Sequence, residues 1–303
     1  MKKLIAMLLA LVLVLSLAAC GSSEPAATEA PAATEAAKAY SEMTIDELKP
    51  LIKTINAGKL TMVTRPDFAP YEFYALDENG NPSLAGFDIA LGQYIADFIG
   101  LELEIIPMDF DGTITELGMG SADIGMAGYS PDPEREKAMS FSSVYYTGGQ
   151  SFVCHMDNKD AFTALTDANK ADYQIGAQIG SIQADLAKTH TPDADIVELS
   201  KVTDIIAEVI SGKLDGAFIE TVVAETYAKN YPELCVVLPV PYDAEGSVVG
   251  VNRTNEALLA AVNLAIEAAL ADGSMSAFVA EANELSTGEK YEGLLTDGAV
   301  PAA

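Results

Sequence analysis

From about Lys59 to Leu238 the chain alternates short β-like runs with amphipathic helical stretches, and it does so in two blocks. Lys59–Thr64 reads as a strand. Residues 88–99 read as a helix, with Ile89, Leu91, Ile95, Phe98 and Ile99 on one apolar face. Residues 101–106 alternate as a strand, 113–119 read as a short helix weakened by Gly118 and Gly120, and 124–127 read as a buried strand. The rhythm resumes with strands over 173–177, 196–199, 216–219 and 234–238. Helices over 181–188, 202–210 and 222–228 separate them. Beyond that the pattern is helical only, over 255–271 and 274–285, with Gly273 between the two helices. Strand, helix, strand in this order predicts parallel sheets covered by helices. The break at residues 147–150, with Gly148 and Gly149 free to bend, predicts two α/β lobes. Pro239, Pro241 and Gly246 mark a return crossing. Open α/β sheets bind ligands at the carboxyl ends of their strands, so two facing lobes predict a shared cleft.

The N-terminus reads differently. Lys2 and Lys3 precede an apolar run from Leu4 to Leu15 and a small-residue ending, Leu17-Ala18-Ala19-Cys20. That is the pattern of a secretory signal over 1–19. The run is shorter than the ~20 apolar residues a membrane span needs. Ending in Cys20, it resembles the bacterial lipobox, in which the cysteine is acylated and becomes the new N-terminus. Residues 20–40 then read as a tether, rich in Gly, Ser, Ala, Pro, Thr and Glu and carrying a tandem Pro-Ala-Ala-Thr-Glu-Ala repeat. As a flexible coil it would reach roughly 25 Å. The expected place of work is outside the cytoplasm, with the protein lipid-anchored to the cell membrane.

Charge narrows the partners. Lys plus Arg is 17 and Asp plus Glu is 45, and the leader holds two of the lysines and no acid. A chain this acidic repels phosphate, which excludes nucleic acid. Cys154 and Cys235 lie far apart in sequence and are expected to be thiols and not a disulfide framework. There is no His-Glu-x-x-His, no cysteine pair at zinc spacing and no Gly-x-Ser-x-Gly, and Gly118-x-Gly120 lacks the third glycine of a dinucleotide loop. No catalytic residue, metal or cofactor is expected, and the reading is of a binding protein, not an enzyme.

The residues that stand out follow predicted strands. Gly128, Ser130 and Arg135 follow the strand at 124–127; a glycine admits a ligand to backbone N–H groups, and Arg135 offers a planar fork for a carboxylate. Gly180-Ser181-Ile182-Gln183 opens a helix, which makes a second anion site. Glu220 ends an apolar strand and could accept an ammonium. Two anion sites and one acid describe a receptor for a zwitterion. Each also has a structural use: Arg135 as a surface ion pair, Ser181 as an N-cap, Glu220 as a helix N-terminal acid.

Several motifs occur in order: Gly58-Lys59-Leu60; Phe68-Ala69-Pro70-Tyr71-Glu72-Phe73; Gly86-Phe87-Asp88-Ile89; Met108-Asp109-Phe110-Asp111-Gly112; Pro133-Glu134-Arg135; and Tyr145-Tyr146-Thr147-Gly148-Gly149-Gln150. Over about residues 59–278 the chain resembles the bacterial family 3 extracellular solute-binding proteins, the amino-acid receptors of ABC importers. The resemblance implies a type II periplasmic-binding-protein-like fold: two α/β lobes joined by a two-strand hinge, closing on an amino acid. It implies lobe 1 over 41–147 and 246–303, and lobe 2 over 148–245. By position, Arg135 matches the α-carboxylate arginine and Gly128 and Ser130 match groups that bond the ligand backbone. Ser181 completes the carboxylate site, Glu220 stands where an ammonium-accepting Asp is usual, and Phe68 and Phe110 match apolar residues that sandwich the ligand side chain. Arg65 stands where receptors for basic or amide amino acids commonly carry Asp, and is similar to receptors for acidic amino acids. Glutamate, aspartate or glutamine is the expected ligand, an ABC permease and its ATPase the expected partners, and a monomer the expected state. The alternatives are an enzyme on the same fold, similar to cyclohexadienyl dehydratases, or an extracellular sensor module.

Overall fold

In the computed structural model, which describes residues 38–77, 79–243 and 246–288, the alternation becomes two five-stranded sheets of equivalent order. The leader, Cys20 and the tether up to residue 37 lie outside the described residues, as does 289–303. The described residues from Ala39 onward form one compact unit.

The first sheet is built from β1 (Lys59–Thr64), β5 (Glu102–Pro107), β6 (Ile124–Tyr129), β7 (Met139–Tyr146) and β13 (Ser247–Asn252), in the order β5-β1-β6-β13-β7. The second is built from β8 (Gln150–His155), β9 (Gln174–Gln178), β10 (Asp195–Leu199), β11 (Gly216–Glu220) and β12 (Leu234–Val240), in the order β10-β9-β11-β8-β12. A small antiparallel sheet of β2 (Asp67–Phe68), β3 (Glu72–Leu76) and β4 (Pro82–Ala85) sits between β1 and the first long helix in sequence.

The expectation of parallel sheets needs correction: both sheets are mixed. β1 is parallel to β5 and β6, but β13 runs antiparallel to both β6 and β7. Likewise β9 is parallel to β10 and β11, while β8 is antiparallel to β11 and β12. The reason is the connectivity. The chain leaves the first sheet through β7 and re-enters it through β13, and these paired strands carry the two crossings, 147–149 and 241–246. One strand leads out towards the other lobe and its neighbour leads back, so the pair runs in opposite directions.

Helices cover the sheets where the periodicity placed them. α1 (Ile45–Leu48) is short and opens on a capping box in which Glu47 accepts from the Thr44 backbone N–H at 2.7 Å. α2 (Phe87–Ile99) presents Leu91, Ile95 and Ile99 to the core, and α3 (Phe110–Met119) begins three residues before its predicted start. In the other lobe lie α4 (Ile182–His190), α5 (Val202–Ile210) and α6 (Thr221–Asn230). α5 buries Ile205, Ile206 and Val209 completely, which fixes it against the second sheet. α7 (Glu256–Ala271) turns its alanines, Ala261, Ala265 and Ala269, into the core, and α8 (Ser274–Leu285) folds back on α2 through a Phe278–Tyr94 ring contact at 6.1 Å. Among the described residues no single helix is long and apolar enough to cross a membrane. Cys154 and Cys235 are thiols; they face each other across β8 and β12, and burial pushes the Cys154 thiol up to about 12.

The two lobes meet along a polar seam. The Asp67 carboxylate accepts from the Val202 backbone N–H at 2.7 Å, and the Tyr227 hydroxyl donates to the Asp67 carbonyl at 3.1 Å. Farther along α6, Asn230 donates to the Ser286 carbonyl at 2.8 Å and accepts from the Gly288 N–H at 3.1 Å. The segment after Leu285 thus ties α8, rooted in the first lobe, to the second.

Candidate ligand cleft

The carboxyl ends of β1 and β6 face those of β9 and β11. Arg65 follows β1, Phe110 opens α3, Ser130 follows β6, Gln178 closes β9, Ser181 caps α4, and Glu220 closes β11 and caps α6. Of the eight residues singled out in the sequence, seven are buried and Gly128 is half-buried; contacts join Arg65 to Phe68 and Phe110, and Arg135 to Phe110 and Ser130.

Arg135 is 8% exposed. Its guanidinium donates to the Ser130 carbonyl in its own lobe and to the Gly180 carbonyl across the cleft, each at 3.2 Å. Two of five donors are so used, and the rest can meet a carboxylate. Ser181 does act as an N-cap: its hydroxyl accepts from the Ala184 N–H at 3.3 Å and donates to the Gln178 carbonyl at 2.7 Å. The free N–H groups of the α4 first turn remain beside it.

Glu220 sits at the hinge. One carboxylate oxygen accepts from the Val223 N–H at 3.0 Å and the other from the Gly149 N–H at 3.3 Å. Burial nevertheless pushes it up to about 7. Gly148 allows this approach, since a Cβ there would lie 2.2 Å from Glu220 Oε1.

Gly128 differs from its expected use. Its φ is +59°, and a Cβ would meet the Phe68 ring at 2.7 Å, so the glycine makes room for that ring. Its N–H is not open to a ligand. It donates to Asp88 Oδ2 at 3.2 Å, because Asp88 is fully buried there and needs donors.

The aromatic pair departs from expectation as well. The slot between Phe68 and Phe110, expected to take a ligand side chain, holds the guanidinium of Arg65, 3.7 Å from one ring centroid and 4.6 Å from the other. Stacking on π-faces and burial between them favour that position. Arg65 is 3% exposed and also donates to the Gln178 side chain of the opposite lobe. Behind it, Glu72 Oε1 lies 3.5 Å from Nε, and Asp67 lies 4.0 Å from the guanidinium.

Gln178, Glu72 and Asp88 were not singled out in the sequence. Gln178 could have been found by the rule that located Glu220, a polar residue ending an apolar strand. Phe68, Gln178, Gln183, Val202, Phe218, Ile219 and Glu220 bound a narrow crevice, too tight to admit a water molecule. A larger surface groove along α7 contains none of these residues.

Residues 60–281 match the family described as bacterial extracellular solute-binding proteins, family 3. The chain belongs to this family. It is 32% identical over 202 residues to the arginine-binding extracellular protein ArtP of Bacillus subtilis, covering 65% of this chain and 76% of that one. It is 25% identical over 194 residues to the cyclohexadienyl dehydratase of Pseudomonas aeruginosa, covering 64% and 71%. Among solved structures it resembles the amino acid ABC transporter substrate-binding protein AbpA of Streptococcus pneumoniae, bound to L-arginine. The TM-score there is 0.73 at 30% identity, over 77% of this chain and 97% of that one. Two lobes, mixed five-stranded sheets and two crossing strands make this a type II periplasmic-binding-protein-like fold with its cleft between the lobes.

Proposed function

We propose that this solute-binding protein is the receptor of an ABC importer for a polar or acidic amino acid, with glutamate, aspartate and glutamine preferred over cationic ligands. The observation that carries the reading is that Arg65 and Arg135 both reach across to the opposite lobe, to Gln178 and to the Gly180 carbonyl beside Ser181, while Glu220 bounds the same crevice as Phe68 and Gln178. Arg135 and the α4 N-terminus take the α-carboxylate, and Glu220 takes the ammonium. Arg65 faces the side-chain end, where a ligand carboxylate gains a charge-assisted hydrogen bond of ~1.5–3 kcal/mol. The Phe68 and Phe110 rings hold that guanidinium in place. Glu220 already accepts two backbone N–H bonds.

A second reading has support in the arginine bound by AbpA and named for ArtP. A ligand guanidinium could enter the ring slot only by displacing Arg65, which would then present Glu72 to it. A thermal-shift screen of the twenty amino acids decides between the two, since a ligand of the folded state raises Tm. Glutamate, aspartate or glutamine is expected to give the largest shift. Arginine or lysine alone raising Tm would replace the first reading with the second.

Lipidation at Cys20 places this receptor at the cell membrane beside its permease and ATPase, as a monomer on the 20–40 tether. Cys20→Ala is expected to move the protein out of the membrane fraction. Unchanged membrane association with no acyl mass on the N-terminal peptide would refute the anchor.

A further inference from the structure

We propose that Glu72 is a specificity-determining residue: in its ionised form it is a counter-ion of Arg65 that yields the guanidinium to an acidic ligand and takes up one proton from solvent as it does so. The inference rests on the acidic-ligand reading above.

Glu72 lies on β3 with no exposed surface, its Oε1 3.5 Å from Arg65 Nε. Neither of its oxygens, nor Arg65 Nε, makes a hydrogen bond of normal geometry. A carboxyl buried with no donor is costly when charged unless a cation balances it. The groups facing it are Arg65 after β1, Asp67 on β2, Asp88 on α2, Tyr129 on β6 and Tyr145 on β7. The nearest acid, Asp88, is differently placed: one oxygen accepts from the Tyr145 hydroxyl at 2.7 Å and the other from the Gly128 N–H at 3.2 Å. Two facing carboxyls do not both ionise readily. The one with donors ionises first, and Glu72 holds its proton to higher pH, sharing it with Asp88. In agreement, burial pushes Asp88 up to about 6, whereas burial and then the Asp88 charge push Glu72 well above the usual carboxylate range.

Arg65 therefore has two possible counter-ions, Glu72 from behind and a ligand carboxylate from the cleft. As pH rises and Glu72 ionises, it competes with the ligand. An acidic ligand in turn brings a second negative charge to the guanidinium and drives Glu72 back to its protonated form. Glutamine adds no charge at that end and does not couple. Both ligands share the same α-amino and α-carboxyl contacts, so effects at Glu220 and Arg135 cancel in the ratio of their affinities.

The test is calorimetric titration of the full-length protein with glutamate and with glutamine between pH 6 and 8.5, in phosphate and in Tris, whose ionisation heats differ. Preference for glutamate over glutamine is expected to fall with rising pH, by up to about tenfold per unit where Glu72 titrates. Glutamate is expected to bind with up to one more proton taken up than glutamine. In Glu72→Gln the preference should be flat across this range. Both ligands binding with equal proton counts and a constant ratio in the wild type would overturn the role of Glu72, a result that needs no variant to fold. The same slope persisting in Glu72→Gln would overturn it as well. Glutamine binding without any glutamate binding, or arginine alone binding, would overturn the acidic-ligand reading, and this inference with it.

Discussion

Arg135→Ala is expected to bind the cognate amino acid some thirty- to several thousand-fold more weakly than the wild type, with the fold intact. The figure follows from the ~2–5 kcal/mol cost of truncating one partner of a buried, hydrogen-bonded charge pair, at ~1.4 kcal/mol per decade. Two losses combine. The ligand carboxylate would keep only the α4 N-terminus and its cap as partners. The link from the Ser130 carbonyl to the Gly180 carbonyl, which bridges the lobes, would also vanish. Arg135→Lys separates the two: it keeps the charge but loses the planar fork that reaches both carbonyls, so it should fall between wild type and alanine. Titration calorimetry gives the affinities, and thermal unfolding without ligand reports the fold. Wild-type affinity in Arg135→Ala would remove this side chain from the site.

Sequence and structure agree where short-range physics decides. α5 spans 202–210 as its apolar spacing requires, and β1 spans Lys59–Thr64 as predicted. The small sheet of β2, β3 and β4 left no comparable trace: β2 has two residues, and Pro70 and the 77–81 turn interrupt any alternation. The mixed character of the main sheets was equally hidden. Strands β7 and β13 are apolar runs of ordinary appearance, and their direction depends on a partner a hundred residues away. At the cleft, residues that end strands or open helices were legible, because position alone brings them to the ligand. Glu72 was not, since its partner Arg65 lies on another element and the meaning of both depends on their closeness. Arg65 itself was legible as a cation in the site but not as the occupant of the Phe68–Phe110 slot. That follows from lobe contact through Gln178, 113 residues away.

Binding of glutamine, the ligand that leaves Glu72 out of account, is expected to weaken about tenfold for each pH unit below about 7 and to level off above it. The cause is Glu220, which burial holds up to about 7 when no ligand is bound. A ligand ammonium favours the ionised carboxylate, so binding releases a proton wherever Glu220 is protonated beforehand. Folding has the opposite sign. Because the folded value is raised above the usual one of 4.5, the stability tied to Glu220 is fully present below that value and is lost as pH rises through about 7. The ligand-free protein should therefore lose some thermal stability between pH 5 and 7.5 over the range in which the complex gains affinity. Asp88, held up to about 6, titrates nearby, so a variant is needed to assign the slope. Glu220→Gln keeps the size of the side chain and an oxygen for the Val223 N–H, but cannot ionise. It should bind glutamine weakly at every pH, with the slope below pH 7 abolished. A slope that survives in Glu220→Gln would place the titrating group elsewhere and withdraw Glu220 as the ammonium acceptor.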